Sequence, residues 1–348
     1  MQQAGRRILV VGPSWVGDMM MAQSLFMWLK QQWPQCMVDV VAPVWSLPLL
    51  QRMPEVHQGI ALAVGHGELD LSARWRLGRM LAQQGYDQAI VLPGSFKSAL
   101  LPLFAGIRQR TGFRGEMRYG LLNDMRTLDR QTLPLTVQRF VCLGLPVDGD
   151  ALPQPLPQPH LTADIVNQER LYATLQLSEE RPAIAFMPGA EYGPAKQWPL
   201  ASFAALAQQL EAAGYQVWIL GSAKDSVAAQ EIQARSGGSR VYDVCGKTAL
   251  SDAVDLLALC EASVTNDSGL MHVAAALGKP LVAIFGSSTP DHTPPLTTEA
   301  QICYLHLECS PCFERVCPLG HTRCLTEITP QQVWQRLQQL LPGLGAWV

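Results

Sequence analysis

A chain of 348 residues with 48 % hydrophobic and 16 % charged residues can bury about two cores, which excludes disordered and fibrous classes. Its 26 Lys plus Arg against 29 Asp plus Glu leave a net charge of −3, so nucleic acid is not an expected partner and any polyanion site must be local. The apolar run after Arg6-Arg7 stops at Gly12-Pro13, too short for a signal segment or membrane span. A cytosolic location is therefore expected.

Short β-rich runs then alternate with helical spacing, the pattern of parallel sheets covered by helices. Strands are expected over 8–11, 37–42, 60–64 and 88–92, with helices over 19–32 and 72–84 that stop near Pro34 and Gly85. This defines a first Rossmann-like domain, 1–152. The stretch 145–160 holds five prolines, and the interdomain linker is placed at 153–160. A second Rossmann-like domain, 161–348, follows, with strands over 183–187, 216–220, 262–265 and 281–285. Its helices are expected over 200–213, 226–235, 251–260 and 269–277, and a last helix is a candidate to pack back on the first domain. The expected fold class is α/β, two doubly wound domains facing a central cleft, with ligands outside the carboxyl ends of the strands.

Three strand-to-helix loops carry chemistry. The loop Gly12-Pro13-Ser14-Trp15-Val16-Gly17-Asp18 has an acid where a P-loop needs Lys, and it lacks the third glycine of a dinucleotide fingerprint, so ATPase and NAD readings both weaken. Asp18 at a helix N-terminus is a candidate general base; the plain alternative is a helix cap. The segment 187–199 offers Gly189, Gly193 and Lys196, backbone amides and an ammonium suited to a diphosphate, or else a solvated surface loop. The segment Thr265-Asn266-Asp267-Ser268-Gly269-Leu270-Met271-His272 packs amide, carboxylate, hydroxyl and imidazole into eight residues. Asp267 suits sugar hydroxyls, while Ser268 and the amides of Gly269 and Leu270 suit phosphate. One of the side chains could be a cap, and His272 could be a core residue.

Gly17-Asp18, Pro93-Gly94-Ser95-Phe96-Lys97-Ser98-Ala99, Pro188-Gly189-Ala190-Glu191 with Lys196-x-Trp198-Pro199, and the 265–272 segment together resemble the ADP-heptose:lipopolysaccharide heptosyltransferase family over essentially the whole chain. The resemblance implies a GT-B fold and inverting transfer of L-glycero-D-manno-heptose from ADP-heptose to the lipopolysaccharide inner core. In motif wording it leans toward the branch that extends heptosyl-Kdo2-lipid A. It also implies Asp18 as catalytic base, Lys196 on the diphosphate, and Asp267, Ser268, Gly269, Leu270 and His272 on donor sugar and phosphate. Adenosine contacts would fall at Ser222, Asp225, Val244 and Gly246. Some members hold the ribose with a glutamate in the first of these stretches, where this chain has none. The alternatives are the branch acting on Kdo2-lipid A, a GT-B sugar-nucleotide epimerase, and a non-catalytic nucleotide-sugar binder.

Inverting transfer needs one base and groups that stabilise the leaving diphosphate, roles open to Asp18 and Lys196 without a cofactor. Asp148-Gly149-Asp150 lies in the proline-rich stretch, so no catalytic metal is expected. Between Lys97 and Arg139 there are eight basic and three acidic residues, and Lys97, Arg114 and Arg118 are candidates for a phosphorylated, acidic acceptor, or else part of a solvated face. A lipid acceptor implies peripheral contact with the cytoplasmic face of the inner membrane. Finally, Cys309, Cys312, Cys317 and Cys324 form C-x2-C-x4-C-x6-C, with His321 between the last two. They are candidates for structural zinc, reduced packed thiols or, less suited to the cytosol, a disulfide.

Overall fold

The computed structural model describes residues 5–65, 68–146 and 151–344. The chain divides into two compact units, Met1–His160 and Leu161–Val348. In the first, strands β1 (Arg7–Val11), β2 (Met37–Ala42), β3 (Val56–Ala61), β4 (Gln88–Val91), β5 (Gln109–Phe113) and β6 (Asp124–Arg126) form one parallel sheet, ordered β3-β2-β1-β4-β5-β6. Helices α1 (Val16–Gln32), α2 (Leu47–Leu50), α3 (Leu71–Leu81), α4 (Phe96–Phe104) and α5 (Thr136–Cys142) connect and cover it. The second unit repeats the plan. Strands β7 (Ala183–Met187), β8 (Gln216–Ile219), β9 (Val241–Asp243), β10 (Ala262–Asn266), β11 (Leu281–Ile284) and β12 (Ala300–Cys303) are ordered β12-β11-β10-β7-β8-β9 and again pair in parallel. Its helices are α6 (Ile165–Leu175), α7 (Leu200–Ala212), α8 (Ser226–Ser236), α9 (Leu250–Leu259), α10 (Gly269–Ala276), α11 (Arg323–Thr326) and α12 (Pro330–Leu340).

The central strands are β-branched and apolar because helices cover both faces of a parallel sheet. Ile8 to Val11 of β1 and Ala183 to Met187 of β7 are buried throughout. Strand order reverses between β1 and β4 in the first sheet and between β7 and β10 in the second. Loops leaving such a pair diverge to opposite faces and open a crevice at the carboxyl edge. The connections there are those after β1 and β4, which lead to Asp18 and Lys97 in the first turns of α1 and α4, and those after β7 and β10, which carry Lys196 and Asp267.

One expected strand is displaced. Of the run 60–64 only Ile60 and Ala61 lie in the strand, which is Val56–Ala61, with a register shift against β2 between Val38 and Asp39. As an edge strand it has one neighbour and exposes His57 and Gln58, so its polar half hid it from an apolar pattern. The proline-rich stretch 151–160 has no helix or strand, yet Pro157 and Pro159 are buried, and the His160 backbone is clamped to α1 by both ends of the Gln23 amide at 2.5 and 3.0 Å. Leu161 then donates to Ala276 O at 3.0 Å, the first bond of the second unit.

The last helix, α12, starts at a Thr329 cap with Gln332 as its reciprocal partner and Pro330 in the first turn. It turns Val333 and Leu337 onto its own unit's core, against α7, β11 and β12. Leu337→Ala is expected to lower stability by roughly 2–5 kcal/mol through the cavity it leaves, read as a shift of the urea midpoint. A change below about 0.5 kcal/mol would show that α12 contributes little to the fold.

Candidate active site

The turn after β1 is tight. A Cβ at Gly12 would stand 2.7 Å from Met19 Cε and 3.2 Å from Val41 O, so the absent side chain lets α1 pack close against the end of β1. The N-cap residue of α1 is Trp15, whose side chain makes no cap bond, and Asp18 is the third helical residue, half-buried in the first turn. The carboxylate lies at the positive end of the α1 dipole.

In the second unit three loops converge. The Lys196 ammonium donates to Asp267 Oδ2, and Ser288 Oγ, from the loop after β11, donates to the same oxygen at 2.5 Å. Asp267 holds these two partners instead of serving as the N-cap of α10; the N-cap is Ser268, whose side chain makes no cap bond. Ser268, Gly269 and Leu270 are partly exposed, and the first amides of any helix have no intrahelical acceptor, so this end is suited to phosphate oxygens. The lysine loop is fixed from below. Buried Asn266 accepts from Trp198 N at 3.0 Å and donates to Pro188 O at 2.6 Å, while the Trp198 indole donates to Ile328 O at 2.8 Å. Lys196 also sits 5.0 Å from the Tyr192 ring, with the Arg315 guanidinium 5.3 Å from that ring. His272, in the first turn of α10, is buried, and burial pushes its pKa down to about 4, helped by Lys196 and opposed by Asp267. It is a neutral imidazole at physiological pH.

The first unit carries an acid at a helix N-terminus and the second a lysine held near another, and the relatives of this chain can now be set beside that geometry. Residues 74–323 match the profile of glycosyltransferase family 9 (heptosyltransferase). The lipopolysaccharide heptosyltransferase 2 of Salmonella typhimurium is 50 % identical over 346 residues, covering 97 % of this chain and 99 % of that protein. Its namesake in Escherichia coli is 50 % identical over 344 residues, covering 96 % and 98 %. The solved structure of E. coli ADP-heptose lps heptosyltransferase II matches with a TM-score of 0.87 and 48 % identity, over 97 % of this chain and 98 % of that one. The chain belongs to glycosyltransferase family 9.

In this family member the nucleotide candidates lie together. Asp225 Oδ2 accepts from the Ser222 amide and hydroxyl, both at 2.8 Å, and its side chain leans on Gly189 and Gly221, where a Cβ would stand 2.5 and 2.8 Å away. Gly246 has φ +70° and donates to Gly221 O at 3.1 Å, whereas Val244 is buried, with its amide donating to Ile219 O at 3.0 Å. The acceptor candidates separate. Arg114 is exposed and Lys97 half-buried, but Arg118 is 1 % exposed, and its guanidinium donates to Pro93 O at 2.7 Å and to Phe113 O. Burial also lowers its pKa. Arg118 therefore ties the loop after β4 to the end of β5 and is withdrawn from the acceptor set. Arg110, Arg126 and Arg139 likewise donate to backbone carbonyls.

The four clustered cysteines line a cavity of about 20 Å³ beside Ala195 and Ser287, and all four are free thiols. Among the described residues no three His, Cys, Asp or Glu side chains are placed to hold a metal ion. Their loop instead braces the lysine loop, with Ala195 N donating to Arg315 O at 3.1 Å and Phe313 N to Ser287 O at 2.7 Å. Asp148-Gly149-Asp150 lies outside the described residues. Sequence reasoning passed over Ser288. Its signal was its place in Gly286-Ser287-Ser288-Thr289, a small polar run in the loop after β11.

The neutral His272 gives a pH prediction. The unfolded chain takes a proton near pH 6.5 and the folded one only near 4, so this contribution to stability is complete above 6.5 and lost as pH falls toward 4. His272→Asn should flatten the dependence of the urea midpoint on pH between 6.5 and 4; an unchanged slope would refute the buried neutral state.

Proposed function

We propose that this enzyme moves L-glycero-D-manno-heptose from ADP-heptose to heptosyl-Kdo2-lipid A with inversion, at the cytoplasmic face of the inner membrane. The observation that carries the reading is the Lys196–Asp267 pair at the N-terminus of α10, at the switch point of the second sheet. A nucleotide diphosphate needs such a place, and the 50 % identical relatives named above are heptosyltransferases.

The chemistry assigns each group one task. Asp18 accepts the proton of the acceptor hydroxyl as its oxygen bonds the anomeric carbon, and the bond from that carbon to the diphosphate oxygen breaks. The leaving ADP takes the electron pair, and its added charge is met by Lys196 and the amides of Ser268, Gly269 and Leu270. Asp267 aims Lys196 and offers its other oxygen to a sugar hydroxyl. His272, being neutral, gives or accepts a hydrogen bond without adding charge. Ser222, Asp225 and the backbone at Val244 and Gly246 are assigned to the adenosine, and Lys97 with Arg114 to acidic groups of the acceptor. No metal ion or organic cofactor is required by these steps.

The test is transfer to purified Kdo2-lipid A and heptosyl-Kdo2-lipid A. Product on the heptosylated acceptor alone supports the proposal, and product on Kdo2-lipid A moves the enzyme one step earlier. Asp18→Ala should lower kcat by about 10²–10⁴ while the calorimetric Kd for ADP-heptose holds; a large loss of donor affinity would overturn the base assignment. Lys196→Ala should weaken ADP binding by roughly 10–100-fold, as expected for a charge-assisted hydrogen bond. EDTA should leave the rate unchanged.

A further inference from the structure

Helix α3 turns an unusual face to solvent. Inward, Arg74, Gly78 and Leu81 are buried. Gly78 lets α4 approach, since a Cβ there would stand 2.5 Å from Phe104 Cβ, and Arg74 donates to Leu69 O at 2.6 Å and to Lys97 O at 3.5 Å, joining the first turns of the two helices. Outward, at helical spacing, stand Leu71, Trp75, Arg76, Arg79 and Met80, with Trp75 54 % and Met80 66 % exposed. Leu103 and Arg108, near the end of α4, are exposed as well.

Scattered exposed apolar residues are ordinary, and a solvated helix usually carries both signs of charge. Here the helix body has no acidic residue, the N-cap Asp70 being its nearest carboxylate, and the exposed charges on and beside its outward face are Arg76, Arg79 and Arg108. Tryptophan beside arginine suits the boundary of a bilayer, where an amphipathic ring sits at headgroup depth and guanidinium groups meet lipid phosphates. A chain of net charge −3 is repelled as a whole by an anionic surface, so attraction has to be concentrated on one face.

We propose that the outward face of α3, with Trp75 and Met80 as insertions and Arg76 and Arg79 as phosphate contacts, is the docking surface for an anionic phospholipid bilayer. This deepens the reading above, in which the acceptor is anchored in a membrane.

Co-flotation with vesicles of phosphatidylcholine alone, or with phosphatidylglycerol and cardiolipin added, tests it in the full-length enzyme. Transfer is measured in parallel to acceptor embedded in the vesicles and to a deacylated, water-soluble acceptor. The native chain should bind the anionic vesicles and release them as salt rises. R76E/R79E and W75S/M80S, all surface substitutions whose folding is checked by thermal midpoint, should each weaken that binding at least tenfold and slow transfer to embedded acceptor, with the soluble acceptor used at the native rate. Binding as tight as native in both variants would overturn the proposal, as would equal losses on both acceptors. Variant-sensitive vesicle binding in an enzyme that uses neither acceptor would support the docking face and defeat the acceptor assignment instead.

Discussion

Burial of both faces of two parallel sheets is the constraint on which the rest depends. A strand covered by helices on either side admits few polar side chains along its length, so chemistry is driven to the carboxyl edge, where the chain leaves the sheet and backbone groups must find other partners. Each sheet reverses its strand order once, and the motif-bearing loops leave at those reversals: after β1 and β4 in one unit, after β7 and β10 in the other. The catalytic assignment follows from this geography more than from any single residue type.

Within the second unit one carboxylate oxygen organises the edge. Asp267 Oδ2 receives Lys196 and Ser288, so loops after three different strands are drawn to one point. Two close hydrogen-bond donors, one of them an ammonium, offset the cost of burying a charge. The same crowding keeps His272 neutral, because burial outweighs the attraction of the nearby carboxylate. One ammonium and the first amides of α10 are therefore held side by side at this edge.

The arginines of the first unit illustrate how a charge count can mislead. Four of the eight basic residues between Lys97 and Arg139 donate to backbone carbonyls. A planar fork with five donors satisfies several carbonyls at once where irregular segments pass beneath the sheet edge. Arg118 and Arg110 shape the loops beside β4 and β5, Arg126 holds the end of α5 and Arg139 the loop before it, and only the remainder are open to a polyanion. The exposed basic character is accordingly narrower than the composition of that stretch suggests.

The alternation of β-branched runs with helical spacing was enough to establish two α/β units, and the loops bearing Asp18, Lys196 and Asp267 were legible because each follows a strongly apolar central strand. Edge elements were not. β3 starts earlier than its apolar run, and β6, β9 and β12 escape an apolar pattern, because an edge strand needs only one hydrogen-bonded neighbour and tolerates polar residues; β5, next to the edge, is as polar in Gln109-Arg110-Thr111. Tertiary structure alone decided that Arg118 is buried, that Ser288 shares the oxygen of Asp267 and that His272 is neutral. Each of these depends on which distant segments are packed around a side chain, and local pattern carries no record of that. What the sequence by itself determined was periodicity and strand-end chemistry, which are properties of neighbours along the chain; desolvation and hydrogen-bond partnership are properties of neighbours in space.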